Sequence, residues 1–178
     1  MAYNSCKSIT MSSIDAHCDS SIGGIKRILI AQRSDVTGVT LDSTTGIITA
    51  ITMAQTKKFQ QWLFRRNTGS YTSTATGDPT TGNNGVTTEV SLQFSKAEAQ
   101  KRLEIQSAIN ADCVLIIEDM YGQFIYLGYD QEVTITNAVM QSGTAKTDLN
   151  GFTLTFTDES IELPYFVDGE IIDALVAE

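Results

Sequence analysis

Along 86–94 the residues alternate, with Val86, Val90, Leu92 and Phe94 on one parity and Thr87, Glu89, Ser91 and Gln93 on the other. A two-residue period puts the two sets on opposite faces of an extended chain, which predicts a strand with one buried face. The same alternation recurs at 132–139 and at 151–157, where Phe152, Leu154 and Phe156 oppose Thr153, Thr155 and Thr157. Other strands are predicted from apolar runs at 25–31, 46–53, 113–118 and 124–129. The last two flank Asp119-Met120-Tyr121-Gly122, whose glycine suits a positive φ, so they read as a tight hairpin. The segment FQQWLFRR (59–66) carries bulky residues at both parities and reads as a strand with no simply solvated face.

A helix is predicted over 96–111. Ser95 and Glu98 have the spacing of a capping box, and Ala99, Leu103, Ile105 and Ile109 would form its apolar stripe. Between the strands at 59–66 and 86–94 lies GSYTSTATGDPTTGNNG (69–85), read as a long polar loop at the tip of a hairpin made by those two strands. Asn150-Gly151 marks a turn. Strands precede and follow the helix instead of alternating with helices, which predicts a mainly β (α+β) fold. The expected architecture is an antiparallel β-sandwich or open barrel with one flanking helix. With 178 residues one domain is expected: an N-terminal arm at 1–24, a β-sandwich at 25–166 and an acidic C-terminal tail at 167–178.

Composition agrees with a folded β protein: 42% hydrophobic, 19% charged and only two prolines. The net charge of -9 argues against stable binding to nucleic acid, which rests on Lys and Arg displacing counterions. After Lys146 the chain holds no Lys or Arg, while Asp158, Glu159, Glu162, Asp168, Glu170, Asp173 and Glu178 are acidic. Cys6, Cys18 and Cys113 form no C-x-x-C pair, and Cys6 with His17 and Cys18 lacks a fourth ligand, so neither metal nor cofactor is expected. Reduced thiols are the simpler reading. The start of the chain does not read as a signal peptide, and IGGIKRILIA is too short and too charged for a membrane span.

Catalytic chemistry is poorly represented. His17 is the one histidine and stands in the polar arm; G-x-S-x-G, G-x-G-x-x-G and Walker sequences are missing. The acidic pairs Glu118-Asp119 and Asp158-Glu159 are read as solvated strand ends in preference to a general acid and base. Trp62 with Phe59 and Phe64 reads as core in preference to a sugar- or base-stacking platform. Tyr165-Phe166 divides evenly between a subunit anchor and a last core contact. An enzyme is not expected.

The segments IGGIKRILIA, FQQWLFRR, VTTEVSLQFSKAEAQKRLEIQ, VLIIEDMYGQFIYLGYD, SGTAKTDLNGFTLTFTDES and ELPYFVD resemble virion structural proteins of tailed phages and prophages of Bacteroides-type bacteria. The likeness spans about 20–168, and the order of elements is similar to the tail tube fold. It implies packed antiparallel sheets, a flanking helix and a long hairpin closing into homo-oligomeric rings, hexameric or dodecameric. These would form a tail tube or a head-to-tail connector, assembled in the host bacterial cytoplasm and carried in the virion tail. Partners would be copies of itself and other tail or connector proteins, with genome DNA passing only transiently and no membrane involved. Open strand edges and the polar loop favour docking between copies. Expected intersubunit contacts are Tyr71, Asp78, Pro79, Asn83, Asn84, Tyr165 and Phe166. Alternatives are a capsid decoration or fibre-type protein, an injection-system tube and, more distantly, a monomeric carbohydrate-binding sandwich.

Overall fold

A computed structural model describes residues 12–16, 22–78, 80 and 82–177. In chain order the elements are β1 (Ile25–Gln32), β2 (Val36–Leu41), β3 (Ile47–Met53), β4 (Gln60–Leu63), β5 (Gly69–Asp78) and β6 (Asn83–Ser95). Then come α1 (Ala99–Ile109), β7 (Cys113–Asp119), β8 (Phe124–Leu127), β9 (Thr134–Gln141), β10 (Gly151–Ser160), β11 (Tyr165–Val167) and α2 (Ile172–Leu175). Strands hold 52% of the chain and helices 13%, so the class is mainly β, as the patterning predicts.

The strands form two sheets. One has seven strands in the order β2-β3-β11-β8-β7-β1-β4, the other four in the order β5-β6-β10-β9. All pairs are antiparallel except β11 with β3, so the larger sheet is mixed where a wholly antiparallel one was expected. Between the sheets the inward residues of β6 and β10 (Val90, Leu92, Phe94, Phe152, Leu154, Phe156) pack on Ile28 and Ile30 of β1 and on Leu115 and Ile117 of β7. A second core lies on the far face of the larger sheet, where Leu29, Val114, Ile116 and Tyr126 meet Phe59, Ile172 and Leu175. Strand β7 is therefore covered on both sides, and this is why CVLII is a continuous apolar run and not an alternating one.

The polar stretch 69–85 is not a loop. Its first ten residues are β5, its last three begin β6, and the two arms pair from Gly69↔Leu92 to Asp78↔Asn83. β5 is an edge strand and mostly exposed, so it carries no apolar parity to betray it; its threonines and Tyr71 supply the β preference instead. The expected hairpin between 59–66 and 86–94 is corrected too, because β4 pairs with β1 and β6 pairs with β5 and β10. β2 and β11 are further strands that the patterning did not predict.

The helix is shorter than 96–111, and no capping box forms. Ser95 ends β6, Lys96 takes φ 68°, and Glu98 is the N-cap without a side-chain cap bond. The Glu98 carboxylate instead pairs with Lys96 and Lys101. Of the expected stripe only Ile105 is buried, beside Ala108, while Leu103 is 59% exposed. The end of the chain is not a free acidic tail. Ile172 and Leu175 bury one face of α2, and Phe59 clamps the segment by accepting from Ala177 N–H and donating to the Leu175 carbonyl, both at 2.9 Å. Most of the 1–24 arm, with Cys6, His17 and Cys18, lies outside the described residues.

Gly151 opens β10 rather than completing a turn. A β-carbon there would stand 1.9 Å from the Phe94 carbonyl oxygen, so only glycine lets β10 approach β6 at this point. Gly151→Ala is expected to lower unfolding stability by about 2–3 kcal/mol in denaturant titrations, an overpacking cost.

Candidate intersubunit surface

The smaller sheet has one apolar face turned to the core and one polar face turned outward. Register places Thr87, Glu89, Ser91 and Gln93 of β6 beside Glu159, Thr157, Thr155 and Thr153 of β10. Ser70, Thr72 and Thr74 of β5 continue the same face. Thr136 and Thr157 share a hydroxyl hydrogen bond of 2.9 Å on it. None of the four strands contains Lys or Arg. The sheet ends at β5 on one side and β9 on the other, and among the described residues no strand pairs with either outer edge. β9 has one register shift, opposite Thr155/Phe156, and exposes Val139 and Met140, the latter by 63%.

The hairpin projects from one corner of this sheet. β10 accompanies β6 as far as Ser160↔Val86, and beyond that rung β5 and β6 continue alone through Thr76↔Gly85, Gly77↔Asn84 and Asp78↔Asn83. At about 3.4 Å per residue the overhang reaches about 10 Å. At its base Ile161 and Leu163 are 68% and 57% exposed and line a shallow cleft with Ala75 and Gly85.

The expected contact residues do not form one patch. Asp78, Asn83 and Asn84 sit together at the hairpin tip, where the Asp78 carboxylate accepts from Thr80 N–H at 2.8 Å. Pro79 lies outside the described residues. Tyr71 is on the same strand but nearer the opposite end, beside Val90 and close enough to Asp119 to feel its charge; burial and that charge raise its pKa. Tyr165 and Phe166 belong to β11 in the larger sheet. Tyr165 faces the second core, its ring against Tyr129 at 4.9 Å, and it donates to Glu162. Phe166 alternates to the other face, 46% exposed beside Ile47. One of the pair is thus a core contact and the other a surface group.

The acidic pairs correct the reading of solvated strand ends, because Glu118 and Asp158 are only 4% and 3% exposed. They stand at opposite ends of β8 and form no couple: Glu118 is opposite Phe124, whereas Asp158 accepts from Gly128 N–H at 3.1 Å, just past Leu127. Glu118 is neutralised by Lys26 and Arg27, the latter its cross-strand neighbour. Among the described residues Asp158 makes no ion pair. Burial raises its pKa from 3.8 to about 6; the Gly128 bond works against the rise, Asp130 adds to it and Arg33 opposes it. Arg33 itself donates to the Gly128 and Tyr129 carbonyls, tying the first strand's exit to the same corner. Cys113 is buried, its thiol pushed up to about 11 by burial, which keeps it in the unreactive thiol form. Trp62 packs edge-on against Phe94 and Phe156 and is half-buried, one part of its ring on the core and the rest lining a surface cleft with Gln61, Leu63 and Glu104.

Comparison with protein-family models, with curated proteins and with solved structures finds no match to this chain. Among the described residues no helix is long and apolar enough to cross a membrane.

The raised pKa of Asp158 has a definite sign. Between pH 4 and 6 the unfolded chain has released this proton while the folded chain still holds it, so stability falls as pH rises through that window and the penalty persists above it. Asp158→Asn, which keeps an acceptor for Gly128, is expected to be more stable than the native chain at pH 8 by roughly 1–3 kcal/mol. The difference should vanish near pH 3 in urea melts recorded across the range.

Proposed function

We propose that this chain is a structural protein of a phage tail, whose copies join into rings that build a tail tube or a head-to-tail connector channel for genome passage. The carrying observation is the four-stranded sheet: two unpartnered edges flank a polar face that is free of Lys and Arg. Exposed edges in a monomer are templates for indiscriminate pairing, and β5 lacks the lysine or internal proline that blunts such edges. Closure of copies around an axis would pair every edge, as a barrel does. A face of hydroxyls and amides with Glu89 and Glu159 as its charges would repel passing DNA weakly and offer it no counterion-releasing contact. The resemblance of the sequence segments to tailed-phage virion proteins supports the same reading.

The distant alternative of a carbohydrate-binding sandwich is less well supported, because Trp62 is half-buried with its ring edge-on against Phe94 and Phe156. The purified full chain is expected to show annuli with a hollow centre in negative-stain images and a sedimentation coefficient far above that of a monomer. Only isolated globules, in both measurements, would overturn the reading. On a DNA column the same material is expected to elute at about 0.1 M salt or below, where a basic protein is still retained.

A further inference from the structure

The two ends of the smaller sheet differ in charge. At the hairpin end stand Asp78, Glu159 and Glu162, with Ile161 and Leu163 exposed beside them. At the opposite end, where β6 finishes and β10 begins, a cleft of about 630 Å³ is lined by Arg65, Lys96 and Lys146 together with Ser95, Thr68 and Asn150. One carboxylate, Asp148, also lines it, held ionised by the Thr144 and Ala145 N–H groups and the Thr144 hydroxyl that donate to its Oδ2, so three cations stand there against one anion. Lys96 is paired with Glu98, whereas Arg65 and Lys146 make no ion pair among the described residues. In a chain of net charge -9, such a cationic hollow facing away from an acidic projection is a marked asymmetry.

We infer that the hairpin end of one copy docks into the Arg65–Lys146 cleft of a second copy, so that molecules associate head to tail along the strand direction. The occupant follows from complementarity. The hairpin overhang presents acid, amide groups of Asn83 and Asn84, and two exposed aliphatic side chains at its base; the cleft presents cations, hydroxyls and an amide, with Leu63 exposed by 66% near its rim. Because donor surface and receptor surface are different patches, the contact is heterologous, and a heterologous contact that does not close on itself propagates as a filament. This inference deepens the ring reading by naming what would hold one ring on the next, and it rests on that reading only for the presence of rings.

The test compares the full chain with Arg65→Glu/Lys146→Glu, with Asp78→Lys/Glu162→Lys, and with all four changes in one chain. Sedimentation reads association at low salt and negative-stain images read annuli; thermal melts establish that each variant is folded. Either two-residue variant is expected to weaken end-to-end association about tenfold or more, and the four-residue variant, with both signs exchanged, to recover most of it. The native chain should also dissociate between about 0.05 M and about 0.5 M salt, which tests the contact without any substitution. Association unchanged by charge reversal and by salt overturns the docking even if annuli are present. Association that is lost and recovered as described, without annuli, upholds the docking and removes the rings. A native chain that does not self-associate removes both.

Discussion

Burial of β1 and β7 from both sides is the constraint on which the rest of the molecule depends. Their backbone groups pair across seven rungs, from Ile25↔Asp119 to Gln32↔Cys113, and β4 and β8 take up outward-facing groups of β1 and β7, so the two strands can sit in apolar surroundings. Each fully buried side chain there contributes about 1.5–3 kcal/mol, but only if a separate layer covers each face. The smaller sheet and α1 cover one face; Phe59 and the α2 segment cover the other. The C-terminal segment is recruited for this reason, in spite of its acidic character.

That arrangement leaves the smaller sheet with a single buried face and, among the described residues, two edges that no strand pairs. Its outer surface is rich in short hydroxyl side chains, with Glu89 and Glu159 and no Lys or Arg on its four strands. The proposed ring gives those edges partners, and the proposed head-to-tail contact gives the overhanging hairpin one. Both proposals start from the same surface, namely two sheet edges without a strand partner among the described residues and a polar hairpin that overhangs the sheet.

Charge is handled differently at each buried carboxylate. Glu118 meets Lys26 and Arg27 because the β1–β7 register sets Arg27 directly opposite it. Asp158 follows the inward parity of Phe156 and enters the corner where β8 ends, meeting an amide instead of a cation. An ionised group so placed has lost hydration without gaining a counterion, and its proton affinity rises accordingly.

Two-residue alternation at β6 and β10, and the apolar runs at β1, β3, β7 and β8, were legible because burial imposes a period on side chains. The β class and the β7–β8 hairpin with Gly122 at φ 87° followed from that signal. β5 was not legible, since an exposed edge strand imposes no apolar period, and the Ser95–Glu98 spacing misled because Lys96 enters the left-handed region and ends the strand there. The amino-acid sequence by itself therefore determined which strands are buried and how acidic the surface is. Which strands are neighbours, which carboxylates are buried and where the cations converge was decided only by tertiary structure, because register brings together residues whose separation along the chain, such as Arg27 and Glu118, carries no local signal.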